Sequence, residues 1–387
     1  MHRTFHRDRF TWLAYLSLAF YGYFLNVLGP ITPFLKDELQ LTYTVSSFHF
    51  TAFALGIILI GLGGHLLIQR IGRGQSLWSG LFGMGLSALL LLIGRNPIIT
   101  ICASFLMGWI GSLILAIVPI MLSDQHLESR AIAISEANVL ASGVATAAPL
   151  MVGWSVHSIG DWRWALGLVA LTPILLFLIF GKGTSQHTTS IPKEQTQSSE
   201  PLSTRFWVYW IALVLGVSIE FCMIFWSADY MEHVLGMAKA NAAQSLSLFL
   251  AAMILGRFIG SRLVHQYPTR AVVTISIIIA SIGFLLFWRT ENIFIGLSGL
   301  FITGLGVANF YPLILSLAIG AADGNTVNAS SRATLASGTA ILTLPLVLGR
   351  LADAVGIRSA YSVVVLLLIS VFLISVFAGR TFFSNRQ

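Results

Sequence analysis

The sequence contains few charged residues and only two cysteines. Charged side chains make up 10% of its 387 residues, whereas soluble globular domains carry roughly 25%. So low a fraction excludes an ordinary water-facing surface. It suits a surface in contact with lipid, where each charged side chain is costly. Cys102 and Cys222 both lie in apolar runs, so we expect neither a disulfide nor a metal site.

Long apolar runs take up most of the chain instead. A membrane-spanning helix needs about 20 mostly apolar residues, and twelve runs of suitable length can be placed along the sequence. We expect these spans at 10–35, 43–68, 75–94, 97–122, 131–155, 164–181, 206–230, 241–265, 270–288, 292–319, 330–350 and 359–379.

In a soluble protein the net charge of +7 would suggest binding to nucleic acid. Here the positions of the basic residues predict how the chain is oriented in the membrane. With both termini inside, 14 of the 22 Lys and Arg residues fall in inner segments and 7 in outer loops. Basic residues gather on the cytoplasmic side of membrane proteins. We therefore expect a multi-pass protein of the cell membrane with cytoplasmic N- and C-termini and no nucleic-acid partner.

The chain reads as two similar halves joined by a polar linker. A shift of 196 residues pairs Gly64 with Gly260, Gly108 with Gly304, Pro149 with Pro345, Gly153 with Gly349, and Gly160 with Gly356. The predicted fold is an all-α membrane protein whose twelve transmembrane helices form two six-helix, pseudo-symmetric bundles. The expected boundaries are 1–181 and 206–387 for the bundles and 182–205 for a cytoplasmic linker.

Two local motifs carry a resemblance to a known family. Residues 64–73 follow span two and read Gly-His-Leu-Leu-Ile-Gln-Arg-Ile-Gly-Arg, and residues 161–164 precede span six and read Asp-Trp-Arg-Trp. Together with the twelve spans and the central linker, they resemble the inner-loop motif and the Trp-Arg signature of the major facilitator superfamily. The family's usual Asp is missing from the first motif. The resemblance implies a secondary transporter that works by alternating access.

The resemblance also favours one branch of that family. Drug/proton antiporters usually carry an Arg in span four, near Ser104 here, and Gly-Pro-x-x-Gly-Gly in span five, where this chain has Ala148-Pro149. Glu220 before Trp226, with Gly-Arg-Phe around Arg257, is instead similar to the fucose and hexose:proton symporters. The leading prediction is proton-coupled symport of a small organic solute, and the alternatives are an efflux antiporter or a non-transporting membrane receptor.

Three ionisable residues, Glu136, Glu220 and Arg257, lie clearly within predicted spans. Such residues are candidate functional sites because they are expensive to keep in a membrane. Glu220 lies roughly 22 Å from the cytoplasmic end of its helix, where desolvation favours the protonated carboxyl. We expect it to carry the coupling proton. The alternative is a protonated Glu that only packs against a neighbouring helix.

Glu136 and Arg257 are predicted to lie at similar depths, about 9 Å and 12 Å inside the cytoplasmic edge. In the family that the chain resembles, spans five and eight pack together. We therefore expect these two residues to form an inter-half ion pair that closes the cytoplasmic side of the outward-facing state. The alternative is that each bonds within its own half.

Other polar and aromatic residues within spans are candidates for the substrate cavity, because small solutes are held by a few polar groups among aromatic faces. They are Tyr23, Asn26, Asn138, Trp226, Asn309 and Tyr311. The sequence has no phosphate-binding loop, serine-hydrolase motif or metal-spaced histidine cluster. We expect a monomer that is not an enzyme and needs no cofactor, with a small-molecule substrate, protons and the lipid bilayer as its partners.

Overall fold

Lipid offers no partner to backbone N–H and C=O groups, so a spanning segment must satisfy them internally. The computed structural model describes residues 6–181, 202–322 and 326–380, and all regular structure in these ranges is helical. The predicted linker 182–205 therefore lies mostly outside the described residues. By contacts, the chain divides into unit 1, residues 1–41 and 48–193, and unit 2, residues 42–47 and 194–387.

Unit 1 contains the first seven helices, although the first residues of α2 are assigned to unit 2. A single 3-10 turn, Leu127–Ser129, joins α4 to α5. The helices are α1 Arg9–Glu38, α2 Tyr43–Ile71, α3 Arg73–Ile93, α4 Pro97–His126, α5 Arg130–Ile159, α6 Trp164–Ala170 and α7 Thr172–Phe180.

Unit 2 contains eight helices, of which α14 is a single turn. They are α8 Thr204–His233, α9 Lys239–Leu263, α10 Thr269–Arg289, α11 Ile293–Val307, α12 Phe310–Gly320, α13 Thr326–Val355, α14 Ile357–Ala360 and α15 Ser362–Arg380.

One long helix lies at the centre of each unit. In unit 1 most of α1 is buried, and α1 packs on α4 and α5. In unit 2 the equivalent helix is α8, which packs on α12, α13 and α15. Both α1 and α8 carry apolar side chains on most sides, which is the pattern of a helix enclosed by other helices.

Several helices of unit 2 begin 196 residues after their counterparts in unit 1, which is the shift that relates the two halves of the sequence. Helix α3 begins at Arg73 and α10 at Thr269, 196 residues later, and the two helices have the same length. Asn96 caps α4 by accepting from Ile98 N, and Asn292 caps α11 by accepting from Phe294 N. An Asn side chain satisfies an otherwise unpaired N–H at a helix start.

Close contacts between helices also recur at positions 196 residues apart. In unit 1 a Cβ added to Gly108 of α4 would collide with the Phe53 carbonyl of α2. In unit 2 a Cβ on Gly304 of α11 would collide with the Phe249 carbonyl of α9. Small residues let membrane helices approach to backbone contact. The matched contacts agree with an internal repeat, while the pseudo-twofold relation of the halves stays a prediction.

Ten helical segments in the described chain are long and apolar enough to cross a membrane. One of them, Pro97–Ile159, contains 63 residues, and Trp164–Phe180 is a shorter apolar helix. The structure therefore confirms a helical, multi-pass membrane protein. The count of twelve crossings stays a prediction.

Candidate functional site

Glu220 and Arg257 approach each other inside unit 2, from α8 and α9. Glu220 Oε1 lies 3.7 Å from Arg257 Nη2. The Glu220 side chain is 13% exposed and that of Arg257 is 43% exposed, so the carboxylate is the more desolvated partner. The separation exceeds the roughly 2.7–2.9 Å of a charge-assisted hydrogen bond. The two charges therefore attract each other without a direct hydrogen bond.

Arg257 also reaches a break between two helices of unit 2. Helix α11 ends at Val307 and α12 begins at Phe310. Pro312 has no N–H, so it cannot bond the carbonyl of Ala308 four residues earlier. Arg257 Nε donates to that carbonyl over 3.4 Å. An interrupted membrane helix exposes backbone groups of this kind to side chains or ligands.

Asn309 lies in the same break and is 7% exposed. Its Nδ2 donates to Ser276 Oγ of α10 over 3.3 Å. A Cβ on Gly260 of α9 would collide with the Asn309 side-chain amide, so the approach of α9 to the break requires glycine there.

Tyr311 is half-buried in the first turn of α12, two residues after Asn309. The structure thus brings Glu220 and Arg257 together. It places Asn309 in the break whose Ala308 carbonyl Arg257 contacts, and Tyr311 in the helix turn that follows. We define Glu220, Arg257, Asn309 and Tyr311 as the unit 2 site.

Trp226, the remaining candidate in unit 2, is fully buried on α8. Its Nε1 donates to the Pro345 carbonyl of α13 over 3.1 Å. This bond joins two helices of the unit, so the indole serves packing in the conformation described. Its place in a substrate cavity stays a prediction.

The candidates of unit 1 bond to backbone carbonyls. Tyr23 is buried, and its hydroxyl donates to the Ala165 carbonyl of α6 over 2.8 Å. Asn26 donates to Gly22 O one turn earlier, and Asn138 donates to Ile134 O in the same manner. Asn26 is buried, whereas Asn138 is exposed on α5. Of the three, only Asn138 is exposed.

Glu136 has its partners within unit 1. Arg7 donates to both carboxylate oxygens, with Nε 2.8 Å from Oε2 and an Nη atom 2.6 Å from Oε1. Tyr15 of α1 donates to Oε2 over 3.0 Å. Glu136 and Arg257 therefore each contact a partner in their own unit, which is the alternative that the sequence left open. Their pairing with each other in an outward-facing state stays a prediction.

Sequence reasoning missed several ionic contacts because the residues lie at span ends. Arg73, in the inner-loop motif, pairs with Asp124 in the last turn of α4. Arg163, in the Trp-Arg signature, pairs with Glu38 at the end of α1. Lys and Arg at span ends were assigned only to membrane orientation, so their ion pairs with acidic residues were not predicted. The acidic residues at neighbouring span ends were the available signal.

Asp229 is a further buried carboxylate, and it lies at the end of predicted span seven. It is fully buried on α8, and its Oδ2 lies 3.4 Å from His233 Nδ1, one turn later. The i,i+4 spacing of an acid and a histidine on one helix is the sequence signal for this contact.

Comparisons with known proteins agree with this architecture. The sequence profile of the Major Facilitator Superfamily matches residues 14–336. An uncharacterized MFS-type transporter of Yersinia pestis is 24% identical over 373 residues, which cover 92% of each chain.

Two solved transporter structures show the same fold. A bacterial homologue of the human lysosomal transporter Spinster, in an inward-facing and occupied conformation, superposes with a TM-score of 0.78 at 16% identity. It covers 98% of this chain, and 97% of its own length is matched. The transporter FucP in its outward conformation has a TM-score of 0.61 at 18% identity, with 96% and 99% covered.

The profile match spans most of the chain, and the helices, the unit 2 site and the broken helix beside it suit such a protein. The chain belongs to the Major Facilitator Superfamily and is a secondary transporter.

Proposed function

We propose that the protein is a proton-coupled symporter of a small organic solute and that Glu220 carries the coupling proton. The observation that supports this is the position of Glu220, a nearly buried carboxylate 3.7 Å from a partly exposed guanidinium. A buried charge pair is costly unless well bonded, so a proton can compete with Arg257 for the carboxylate.

Protonation of Glu220 would change what Arg257 can bind. With Glu220 charged, the guanidinium is attracted to it and bonded to the Ala308 carbonyl. With Glu220 neutral, that attraction disappears and Arg257 is available to a carboxylate or hydroxyl group of the solute. Binding of the proton and of the solute would then favour each other, which is the thermodynamic requirement for symport.

The remaining polar candidates complete the proposed cavity. Asn309 and Tyr311 would contact the solute from α12 and Trp226 from α8. Tyr23, Asn26 and Asn138 would contribute from unit 1. Sugars and similar solutes are held by a few polar groups among aromatic faces.

We propose that Glu136 and Arg257 pair in the outward-facing state and close the cytoplasmic side. Forming that pair would require Glu136 to leave Arg7 and Arg257 to leave Glu220. The exchange of partners would make closure sensitive to the protonation of Glu220, since loss of its charge releases Arg257.

We further propose twelve crossings in two six-helix bundles, placed in the cell membrane with both termini in the cytoplasm. The bundles would comprise residues 1–181 and 206–387. The matched helix bounds of the two units and the distribution of basic residues support this arrangement. The working form would be a monomer.

Solute-induced proton movement tests the proposal. Purified protein would be reconstituted into liposomes that contain a fluorescent pH indicator, and single hexoses, nucleosides and carboxylates would be added outside. A symporter acidifies the interior when its solute enters, whereas an antiporter makes it more alkaline. Solute uptake with no pH change, or an alkaline shift, contradicts the proposal. Solute binding without any flux would indicate the receptor alternative.

A further inference from the structure

Arg257 leaves most of its hydrogen-bonding capacity unused within the described part of the chain. A guanidinium carries five N–H donors. Its Nε donates to the Ala308 carbonyl over 3.4 Å, and its Nη groups form no hydrogen bond with the described residues. The Glu220 carboxylate, 3.7 Å from Nη2, lies beyond hydrogen-bonding distance. The Nη groups of Arg257 are therefore open to a ligand.

Two arginines of unit 1 show how this protein builds a closed arginine–carboxylate pair. Arg163 and Arg7 each donate two hydrogen bonds to one carboxylate, Glu38 and Glu136 respectively, over 2.5–2.8 Å. A guanidinium fork matches the two oxygens of a carboxylate in this way. Arg257 forms no such pair, so its fork can accept a carboxylate from outside the chain.

The Arg257 side chain is also accessible. It is 43% exposed, whereas that of Glu220 is 13% exposed. A charged side chain within a membrane span faces a water-filled path or the interior of the helix bundle, because exposure to lipid is too costly. The exposed part of Arg257 therefore lies where a dissolved solute can reach it.

The charges of the unit 2 site limit which solute can balance them. With Glu220 charged, the pair has no net charge. Once Glu220 takes up its proton, Arg257 keeps only the neutral Ala308 carbonyl as a contact among the described residues. A neutral solute would leave this positive charge uncompensated in a membrane interior, which is costly.

A solute with two negative charges would create the opposite imbalance. Arg257 is the only arginine or lysine that lies clearly within a predicted span. The site therefore offers one positive charge, and a dianion would bring a second negative charge for which the site has no partner. A monoanion is the solute charge that restores neutrality.

We propose that the transported solute is a monoanion whose carboxylate binds the Nη groups of Arg257. This inference rests on the proton-coupled symport proposed above and adds the class of solute. One proton and one monoanion cross together, so a transport cycle moves no net charge. Glu136, the partner proposed for Arg257 in the outward-facing state, is bonded to Arg7 in the conformation described and does not compete with the solute there.

The smallest carboxylate tests the site without knowledge of the natural solute. Purified full-length Glu220→Gln protein in detergent would be titrated at pH 7 and constant ionic strength with acetate and with acetamide, which has a similar shape and no charge. Thermal unfolding reports the binding. Acetate should stabilise this variant, and bind it about tenfold or more tightly than the parent, because Arg257 has lost its carboxylate partner. Equal stabilisation by acetamide, or none by acetate, overturns the proposal.

A second substitution in the Glu220→Gln background assigns the effect to Arg257. Adding Arg257→Gln should weaken acetate binding about tenfold or more. Adding Arg257→Lys, which keeps the charge but not the fork, should give an intermediate affinity and guards against loss of folding. Arg262→Gln is the matched control, because Arg262 is an exposed arginine of the same helix, with its guanidinium 4.9 Å from the Phe258 ring. Equal losses for Arg257→Gln and Arg262→Gln would show only a general charge effect and overturn the proposal.

Transport separates a failure of this inference from a failure of symport. Proteoliposomes with an internal pH indicator, and protein-free liposomes for comparison, would receive two series of matched carbon skeleton: glucose, gluconate and glucarate, and glycerol, glycerate and tartronate. Each series runs from a neutral solute through a monoanion to a dianion. We expect only a monoanion to acidify the interior, at a rate that a membrane potential set with potassium and valinomycin leaves unchanged.

The two possible failures have different signatures. A neutral or dianionic solute that acidifies the interior overturns the proposed charge class and leaves symport standing. A monoanion whose entry makes the interior more alkaline leaves the charge class standing and overturns symport. If the protein carries none of these compounds, the acetate titration decides the charge class.

Discussion

Arg163 donates two parallel hydrogen bonds to the carboxylate of Glu38, over 2.5 Å and 2.7 Å. The same guanidinium donates to the Leu92 carbonyl over 2.9 Å and lies 4.4 Å from the centre of the Trp162 ring. Helices α1, α3 and the start of α6 therefore meet at one nearly buried arginine.

Replacing Arg163 by Lys should destabilise the protein by about 2 kcal/mol, because a lysine cannot form the bidentate pair and the backbone contact together. Unfolding of the purified protein in detergent micelles measures the effect. Arg95→Lys is the control, because Arg95 is 62% exposed and makes a single 3.3 Å contact with the same carboxylate. Its effect should stay below about 1 kcal/mol. Equal effects would mean that the bidentate geometry contributes nothing.

Glu220→Gln should abolish uptake driven by a pH gradient while leaving exchange of solute across the membrane intact. The amide keeps the shape of the side chain but cannot take up or release a proton. Uptake and counterflow in the same proteoliposomes distinguish the two activities. Glu232→Gln is the control, because Glu232 lies on the same helix and contacts Lys239 instead. Gradient-driven uptake that survives in Glu220→Gln would remove this residue from the coupling step.

Exchanging the charges of Glu136 and Arg257 should restore part of the transport lost in either single variant. Glu136→Arg and Arg257→Glu each remove one partner of the proposed closing pair, and the double variant restores it in reverse. Arg7→Gln measures the competing contact. A further variant, Glu136→Gln, removes the carboxylate without adding a positive charge. If Arg7→Gln reproduces its effect and the exchange gives no recovery, then Glu136 acts through Arg7 alone.

Asp8 should stabilise the start of α1 in a pH-dependent way. Burial raises the pKa of its carboxyl, but hydrogen bonds from Thr11 and Gln125 outweigh that effect and leave the pKa lowered. A lowered pKa gives stability that is present above the unfolded value and lost as the pH falls through the folded value. Asp8→Ala should therefore cost about 1 kcal/mol at pH 7 and less near pH 3, below the ordinary pKa of an aspartate.

Thermal unfolding in detergent at the two pH values checks this expectation. Asp37→Ala serves for comparison, because Asp37 lies in the last turn of α1, away from that capping position. A cost for Asp8→Ala that is the same at both pH values would exclude a contribution from the charge of Asp8.

Helix positions followed closely from the sequence, because hydropathy and capping residues act locally. The span expected at 75–94 is α3, Arg73–Ile93, and that expected at 131–155 is α5, Arg130–Ile159. The span expected at 292–319 is instead divided into α11 and α12. Hydropathy does not register this break, although Pro312 was a signal for it.

Side-chain partners could not be predicted with the same success. The depth of Glu136 in its span suggested Arg257, but its contacts depend on which way the helix face is turned, and they are Arg7 and Tyr15. Hydropathy is nearly uniform around these helices, so it carries little information about rotation. The sequence did not predict the approach of Glu220 to Arg257, which also depends on how α8 and α9 are rotated.

The backbone contacts of Gly108 on Phe53 and of Gly304 on Phe249 have a mechanical consequence. With no gap at either crossing, sliding one helix along the other by a residue would drive a side chain into a carbonyl. Helices α2 and α4 are thus fixed in register, as are α9 and α11. We expect each pair to move as one unit when the conformation changes, with bending at places such as the interruption at Ala308.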